Sequence, residues 1–139
     1  MVGVDNTVYL IDLGLVQRFR DPITGIHTSL TNSLDLIGTI RYTSINSHLE
    51  VQQSQQDDLE SLAYTILYML QRKLPWQGMR LPPNADRRAA VLRKKQEIHH
   101  STIVRDIPSP ITTFLHYTQS LSFEAHYNYL ESLLQCLCQ

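Results

Sequence analysis

The sequence has 139 residues, of which 42% are hydrophobic and 18% are charged, and its net charge is −1. This composition excludes a wholly disordered chain, and a chain of this length buries roughly two-thirds of its unfolded surface, which is enough for one core. No stretch approaches the roughly 20 apolar residues of a membrane span, so we expect none.

The two ends of the chain indicate its compartment. The first residues carry Asp5 and lack the basic start of a secretory signal. Both cysteines lie among the last four residues, which excludes a disulfide framework and favours a reducing environment. We therefore expect an intracellular protein of the cytoplasm, the nucleus or both.

The basic residues are concentrated in one part of the chain. Nine of the twelve lie within residues 72–105, against the two acids Asp86 and Glu97, which gives this segment a net charge of +7. Such a segment is either a solvated helix face or a surface that attracts acidic or phosphorylated proteins. We expect no nucleic-acid partner, because no aromatic residues are interleaved with the charges as a base-stacking surface requires.

In chain order, the first predicted elements are strands and a loop. Residues 8–11 form a short β-branched and aromatic run that predicts a buried strand, and a second short strand is expected at 15–16. From residue 18 to about 47 the sequence is rich in small polar residues, with turn signals at Asp21-Pro22 and Thr24-Gly25. A loop of this length inside a compact domain is usually functional.

Four helices are predicted after the loop. Residues 57–70 repeat apolar side chains at helical spacing behind Ser54 as N-cap, and they are apolar nearly all round, which predicts a central buried helix. A basic helix is expected from about 86 to 99, a third helix from Ser109-Pro110, and a last one near 127–137. The apolar residues of the central helix are Leu59, Leu62, Ala63, Tyr64, Ile66, Leu67, Tyr68, Met69 and Leu70.

Five motifs follow one another in an order that is specific. They are Ile11-Asp12-Leu13-Gly14, Arg20-Asp21-Pro22, Gly38-Thr39-Ile40-Arg41-Tyr42-Thr43-Ser44-Ile45-Asn46, Asp57-Asp58-Leu59-Glu60-Ser61-Leu62 and Leu74-Pro75-Trp76-Gln77-Gly78. Together they resemble the casein kinase 1 family of serine/threonine protein kinases, which carries Ser-Ile-Asn where most kinases have Ala-Pro-Glu. The resemblance covers nearly all 139 residues. It implies one partial kinase domain over 1–139: a mainly α C-lobe with a short β pair, a long activation-type loop and about four helices.

The resemblance also implies roles for particular residues. Asp12 would bind the Mg²⁺ that bridges the phosphates of ATP, and Gly14 would permit the turn beside it at the cofactor. Arg41 would hold a phosphate on a primed substrate or on the activation segment, with an ordinary loop ion pair as the alternative. Arg87 and Arg88 lie near the family's second basic contact.

Three further residues are singled out. Asp58 resembles the kinase residue that accepts backbone hydrogen bonds from the catalytic loop, and its alternative is a first-turn acid placed favourably on the helix dipole. Trp76 is assigned a structural role. Cys136 opens a C-terminal Cys-Leu-Cys-Gln that fits a prenylation motif, although a small buried residue of the last helix is the stronger interpretation.

Several kinase motifs are absent from the sequence. No two glycines are close enough to form a Gly-rich phosphate loop, no lysine lies on a nucleotide-binding strand, and no histidine is followed by arginine, so there is no His-Arg-Asp catalytic loop. We therefore expect a truncated chain that is inactive alone and binds Mg²⁺ and ATP weakly. The alternative is a non-catalytic module that binds acidic or phosphorylated partners. Self-association through the uncovered central helix is also expected.

Overall fold

A computed structural model describes residues 4, 7–9, 11–29, 38–98 and 107–124. Within these residues, one 3₁₀ turn, Leu13–Leu15, precedes four α-helices. Helix α2 is central, since it packs along α4 and also contacts α1, which in turn contacts α3. The mainly α class is therefore confirmed. The helices are α1 (Ile45–His48), α2 (Gln55–Gln71), α3 (Arg87–Gln96) and α4 (Ser109–Ser120).

Helix α2 begins at the predicted cap. Ser54 Oγ accepts a hydrogen bond from Gln56 N at 3.3 Å, and Asp57 Oδ2 accepts one from Ser54 N at 2.7 Å. Reciprocal capping of this kind satisfies amide groups that the first turn leaves unpaired, and a good cap contributes about 1 kcal/mol. The helix ends at Gln71, where Arg72 takes a left-handed conformation with φ of 58°.

Burial of α2 is confined to one face. Leu62, Met69 and Leu70 are exposed, so the central helix is not buried on all sides and carries the uncovered apolar residues that the sequence led us to expect. Two polar residues of the buried face accept hydrogen bonds there: Asp57 Oδ2 from Ser54 N, and Glu60 from Ile45 N, Tyr64 Oη and Gln119 Nε2. The buried residues of α2 are Gln56, Asp57, Glu60, Ala63, Tyr64 and Leu67.

The hydrophobic core lies between α2 and α4 and extends under the loops that follow α2 and α3. Tyr64 and Trp76 pack edge to face at its centre, with ring centroids 5.0 Å apart. Ile111, Phe114 and Leu115 are buried on α4, as the spacing of that segment predicts. Burying a side chain of this size contributes about 1.5–3 kcal/mol. The core therefore places Trp76 against the loop that precedes α1.

The predicted β pair is not present in the part of the chain that the structure describes. Val8, Tyr9 and Ile11 are exposed, and Val8 is a single bridge residue rather than part of a strand. The second strand, predicted at residues 15–16, is also missing, because Leu15 is the last residue of the 3₁₀ turn and Val16 is its C-cap. A β-strand is stable only when a neighbouring strand pairs with its backbone N–H and C=O groups. The described residues contain isolated bridges, such as that between Arg20 and His27, in place of such a neighbouring strand.

The long loop is irregular where it is described, and the turn at Asp21 is confirmed. The Asp21 carboxylate accepts hydrogen bonds from the amides of Ile23 at 2.9 Å and Thr24 at 2.7 Å, and Gly25 supplies a left-handed φ of 69°. These hydrogen bonds hold the pKa of Asp21 below its ordinary value. The loop ends earlier than predicted, because residues 45–48 already form α1.

The later helices match their predicted positions closely. Asp86 caps α3 by accepting hydrogen bonds from the amides of Arg88 and Ala89 at 2.8 and 3.2 Å. Helix α4 begins at Ser109, the residue expected as its cap, so it starts one residue earlier than predicted and Pro108 occupies the cap position. The helix predicted at 127–137, and Cys136 within it, lie outside the described residues.

Candidate functional site

A groove of about 590 Å³ lies between residues 11–19 and the first half of α2. Its walls are mostly apolar, with Leu13 on one side and Leu59 and Leu62 on the other. Asp12 and Asp58 both line it. The structure therefore brings together, at one groove, the two carboxylates that the sequence assigned to separate roles.

The backbone reverses at Asp12 rather than at Gly14. Asp12 has φ of 61° and ψ of 67°, which is the left-handed region, whereas Gly14 lies within the 3₁₀ turn without a left-handed φ. A Cβ atom at Gly14 would lie 3.6 Å from Asp12 Oδ1, an ordinary contact. The expectation that Gly14 permits the turn is therefore wrong. Left-handed geometry costs a non-glycine residue roughly 1–2 kcal/mol and is often found at functional positions.

The donor set at the groove fits a magnesium ion that arrives with phosphates. Partial burial in the groove wall raises the pKa of Asp58, and the neighbouring Asp57 adds to this rise. Within the described residues no group of three or more His, Cys, Asp or Glu side chains converges on a metal position. Mg²⁺ commonly binds through one or two carboxylates together with nucleotide phosphates, so Asp12, which lines this groove, would hold the ion jointly with those phosphates.

A buried lysine binds the backbone of residues 38–44, here called the Arg41 turn. Lys95 is fully buried on α3, and its Nζ donates hydrogen bonds to the carbonyl oxygens of Ile40, at 3.0 Å, and of Thr43. Its ammonium also lies 4.9 Å from the ring centroid of Tyr64 and 5.3 Å from that of Trp76. Burial lowers the pKa of Lys95 to about 7, and the charge of Glu60 opposes this shift.

Two further buried side chains bind the backbone of this region. Trp76 Nε1 donates a hydrogen bond of 2.8 Å to the carbonyl oxygen of Arg41. Glu60 Oε2 accepts one of 3.1 Å from Ile45 N, while Oε1 accepts from Tyr64 Oη at 2.5 Å and Gln119 Nε2 at 3.1 Å. Burial raises the pKa of Glu60, and these hydrogen bonds oppose the rise. The carboxyl group is thus satisfied, as a buried polar group must be.

The side chain of Arg41 is directed away from this buried network. Its guanidinium lies 5.7 Å from the ring centroids of both Tyr42 and Tyr68, and the residue is exposed. Among the described residues the ion pairs join other side chains, Arg88 with Glu50 and Lys94 with Glu97, so the alternative of a loop ion pair at Arg41 finds no support there. Stacking on two rings restricts the guanidinium and leaves its N–H groups available to an anion.

Arg87 and Arg88 differ in their surroundings. Arg88 Nη1 donates to Glu50 Oε1 at 2.9 Å and Nη2 donates to the carbonyl oxygen of His48 at 2.7 Å, which ties α3 to the end of α1. Arg87 is exposed at the first position of α3. His48 itself is buried, with Nε2 3.4 Å from Thr43 Oγ1. Burial, followed by the charges of Lys95 and Arg88, lowers the pKa of His48 to about 4.

Sequence analysis missed the buried groups Lys95, Glu60 and His48. A signal for Lys95 was present: it lies four residues after Val91 and three before Ile98, which are both buried, so helical spacing places it on the inner face of α3. The basic composition of the segment masked this position, because a lysine is rarely fully buried.

The similarity of the chain to other proteins is high over almost its whole length. No protein-family model matches it. It is 37% identical over 130 residues to Casein kinase I homolog 1 of Schizosaccharomyces pombe, an alignment that covers 92% of this chain and 29% of the relative. The chain thus spans less than a third of that relative's length. None of the described helices is long and apolar enough to cross a membrane.

Proposed function

The chain belongs to the casein kinase 1 family, and from this premise we propose that residues 1–139 form part of a kinase C-lobe that binds phosphorylated or acidic protein segments through the Arg41 turn. The family consists of serine/threonine protein kinases, which transfer phosphate from ATP with Mg²⁺. The observation that carries the proposal is the exposed Arg41 guanidinium, stacked on Tyr42 and Tyr68 while its backbone carbonyl is bound by the buried Trp76.

The chemistry of Arg41 suits a phosphate or carboxylate group. A planar guanidinium can donate two parallel hydrogen bonds to such an anion. Arg87 is exposed and belongs to the segment of net charge +7, which would raise the local concentration of anions. We assign Arg87 a supporting contact, whereas Arg88 is engaged by Glu50 and His48 and acts mainly within the fold.

The nucleotide side of the domain is incomplete in these 139 residues. Asp12 and Asp58 line one groove, and a Mg²⁺–ATP complex bound there would be held by Asp12. The sequence carries no Gly-rich loop, no lysine on a nucleotide-binding strand and no His-Arg-Asp loop. Because phosphoryl transfer depends on positioning and electrostatic stabilisation of the phosphates, we propose that the chain alone transfers none. This favours a non-catalytic module that binds phosphorylated or acidic partners over a chain that is itself a kinase.

The remaining proposals concern partners and location. The exposed side chains Leu62, Met69 and Leu70 on α2 form an apolar surface that supports self-association. The cysteine pattern supports an intracellular location, in the cytoplasm or the nucleus. Prenylation of Cys136 stays a prediction.

Two assays test the proposed function. With casein and labelled ATP, the wild-type chain is expected to incorporate no more phosphate than Asp12→Ala; activity that Asp12→Ala abolishes would contradict the proposed inactivity. In a binding assay with an acidic phosphoserine peptide, Arg41→Ala should weaken affinity at least about tenfold, since a charge-assisted hydrogen bond contributes about 1.5–3 kcal/mol. Lys94→Ala removes the same charge from an exposed position and is the matched control. Equal losses in the two variants would show that net charge alone is responsible.

A further inference from the structure

We propose that Lys95 is a positioning residue that fixes the Arg41 turn for anion binding and makes that binding depend on pH. The inference rests on the proposed function of Arg41 and extends it to regulation of the same site.

Lys95 binds the backbone at residues on both sides of Arg41. The ammonium binds the carbonyl oxygens of Ile40 and Thr43, on either side of Arg41, while Trp76 binds the carbonyl oxygen of Arg41 itself. Hydrogen bonds from a charged donor are roughly twice as strong as those between neutral groups. Together these bonds determine where the Arg41 side chain leaves the fold.

The other charged and titratable groups around Lys95 come from three helices. Helix α2 contributes Glu60 and Tyr64, α1 contributes His48, and α3 contributes Arg88 beside His48. The pKa of His48 is lowered to about 4 and that of Tyr64 is raised well above its ordinary value, so both stay neutral around neutrality. Burial lowers the pKa of Lys95 itself to about 7.

Loss of the proton from Lys95 has two opposite effects. The neutral amine donates weaker hydrogen bonds to Ile40 and Thr43 and loses its cation–π attraction to the rings of Tyr64 and Trp76, so the Arg41 turn is held less tightly.

The second effect is on stability, because the folded protein no longer contains a buried charge once Lys95 is neutral. Since the unfolded chain keeps this proton up to its ordinary pKa of about 10.4, the free energy of unfolding rises with pH above about 7. Anion affinity and stability therefore change in opposite directions, which a purely structural role would not produce.

The fluorescence of Trp76 should report the protonation state of Lys95. Trp76 is the one tryptophan in the sequence, and its ring centroid lies 5.3 Å from Lys95 Nζ. A titration from pH about 5 to about 9 should show a midpoint near 7 in the wild type and in Lys94→Met, the matched exposed lysine. Lys95→Met should abolish it, and Glu60→Gln should lower it. A wild-type curve without this midpoint, or a midpoint that Glu60→Gln abolishes and Lys95→Met retains, would overturn the inference.

The second measurement is the affinity for an acidic phosphoserine peptide above pH about 6.5, where the phosphate is mostly dianionic. We expect wild-type affinity to fall about fivefold as the pH passes through about 7, and that of Lys95→Met to be lower and independent of pH. Binding that is equally tight at all these pH values would overturn the pH regulation and leave the proposed function standing. Absence of peptide binding at every pH would overturn the proposed function itself and the regulation that rests on it.

Discussion

The indole Nε1 of Trp76 lies 2.8 Å from the carbonyl oxygen of Arg41, so a side chain of the hydrophobic core binds the backbone of the residue proposed to hold phosphate. Trp76 is only 2% exposed and packs against Tyr64, whereas the side chain of Arg41 faces solvent. This hydrogen bond therefore links core packing to the proposed anion site. Substitutions of core residues that do not contact a ligand should therefore alter the affinity of the Arg41 turn for that ligand.

Trp76→Phe tests this link. The variant keeps an aromatic ring against Tyr64 but removes the donor to Arg41, so we expect the free energy of unfolding to fall by about 1–3 kcal/mol and phosphopeptide affinity to fall as well. Urea denaturation and peptide titration measure the two effects. Unchanged affinity in a folded Trp76→Phe protein would show that the hydrogen bond does not position Arg41.

Gly38 begins the Arg41 turn with φ of 91°, and a Cβ atom there would lie 3.2 Å from Thr43 Cγ2. Gly38→Ala should therefore destabilise the fold by at least about 1–2 kcal/mol, because an L side chain strains this conformation. Gly14→Ala is the matched control, since it meets only an ordinary contact with Asp12 and needs no left-handed backbone; its effect should stay within about 0.5 kcal/mol. Equal destabilisation by both alanines would contradict the backbone geometry described for Gly38 and Gly14.

Arg87 and Arg88 should respond differently to removal. Arg88→Ala breaks a partly exposed ion pair with Glu50 and a hydrogen bond to the carbonyl oxygen of His48, so it should reduce stability by about 1 kcal/mol. Arg87→Ala should leave thermal stability unchanged and weaken binding of a phosphoserine peptide. The two variants are compared by thermal unfolding and peptide titration. The reverse pattern, with Arg87 stabilising and Arg88 binding, would reject this assignment.

His48 should control stability in mild acid. Its pKa is about 4 in the folded chain against an ordinary value near 6.5, so the unfolded state takes up the proton first as the pH falls. Stability should therefore drop by up to about 3 kcal/mol between pH 6.5 and pH 4. Urea denaturation at a series of pH values measures the slope. His48→Gln should flatten it, and an equally steep loss in the variant would assign the acid sensitivity to other groups.

Helices α2, α3 and α4 could be predicted from the sequence because their signals are local, whereas the short α1 was assigned to the preceding loop. Ser54 caps α2, Asp86 caps α3, and Ser109-Pro110 opens α4, while apolar spacing identified the buried face of α4. The strand expected at residues 8–11 depended on a partner elsewhere in the chain, and β-branched composition alone does not supply one. Val8 and Tyr9 are exposed for this reason.

The site was predictable in part. The motifs identified Asp12, Asp58 and Arg41, and the groove brings the two carboxylates together. The burial of Lys95 could not be predicted from its being a lysine. A lysine side chain is stable in the protein interior only where groups such as carbonyl oxygens and aromatic rings surround its ammonium. Those groups come from the Arg41 turn, 52 to 55 positions away in the chain, and from α2. Only the folded arrangement shows that this charge is satisfied.

The most direct test of the account is a calorimetric titration of the wild-type chain with one acidic peptide in its phosphoserine and unmodified serine forms, near pH 6.5. The account predicts that the phosphorylated peptide binds at least about tenfold more tightly, because the guanidinium of Arg41 meets the phosphate in a charge-assisted pair. Equal affinity for the two forms would contradict the claim that the Arg41 turn is a phosphate-binding site.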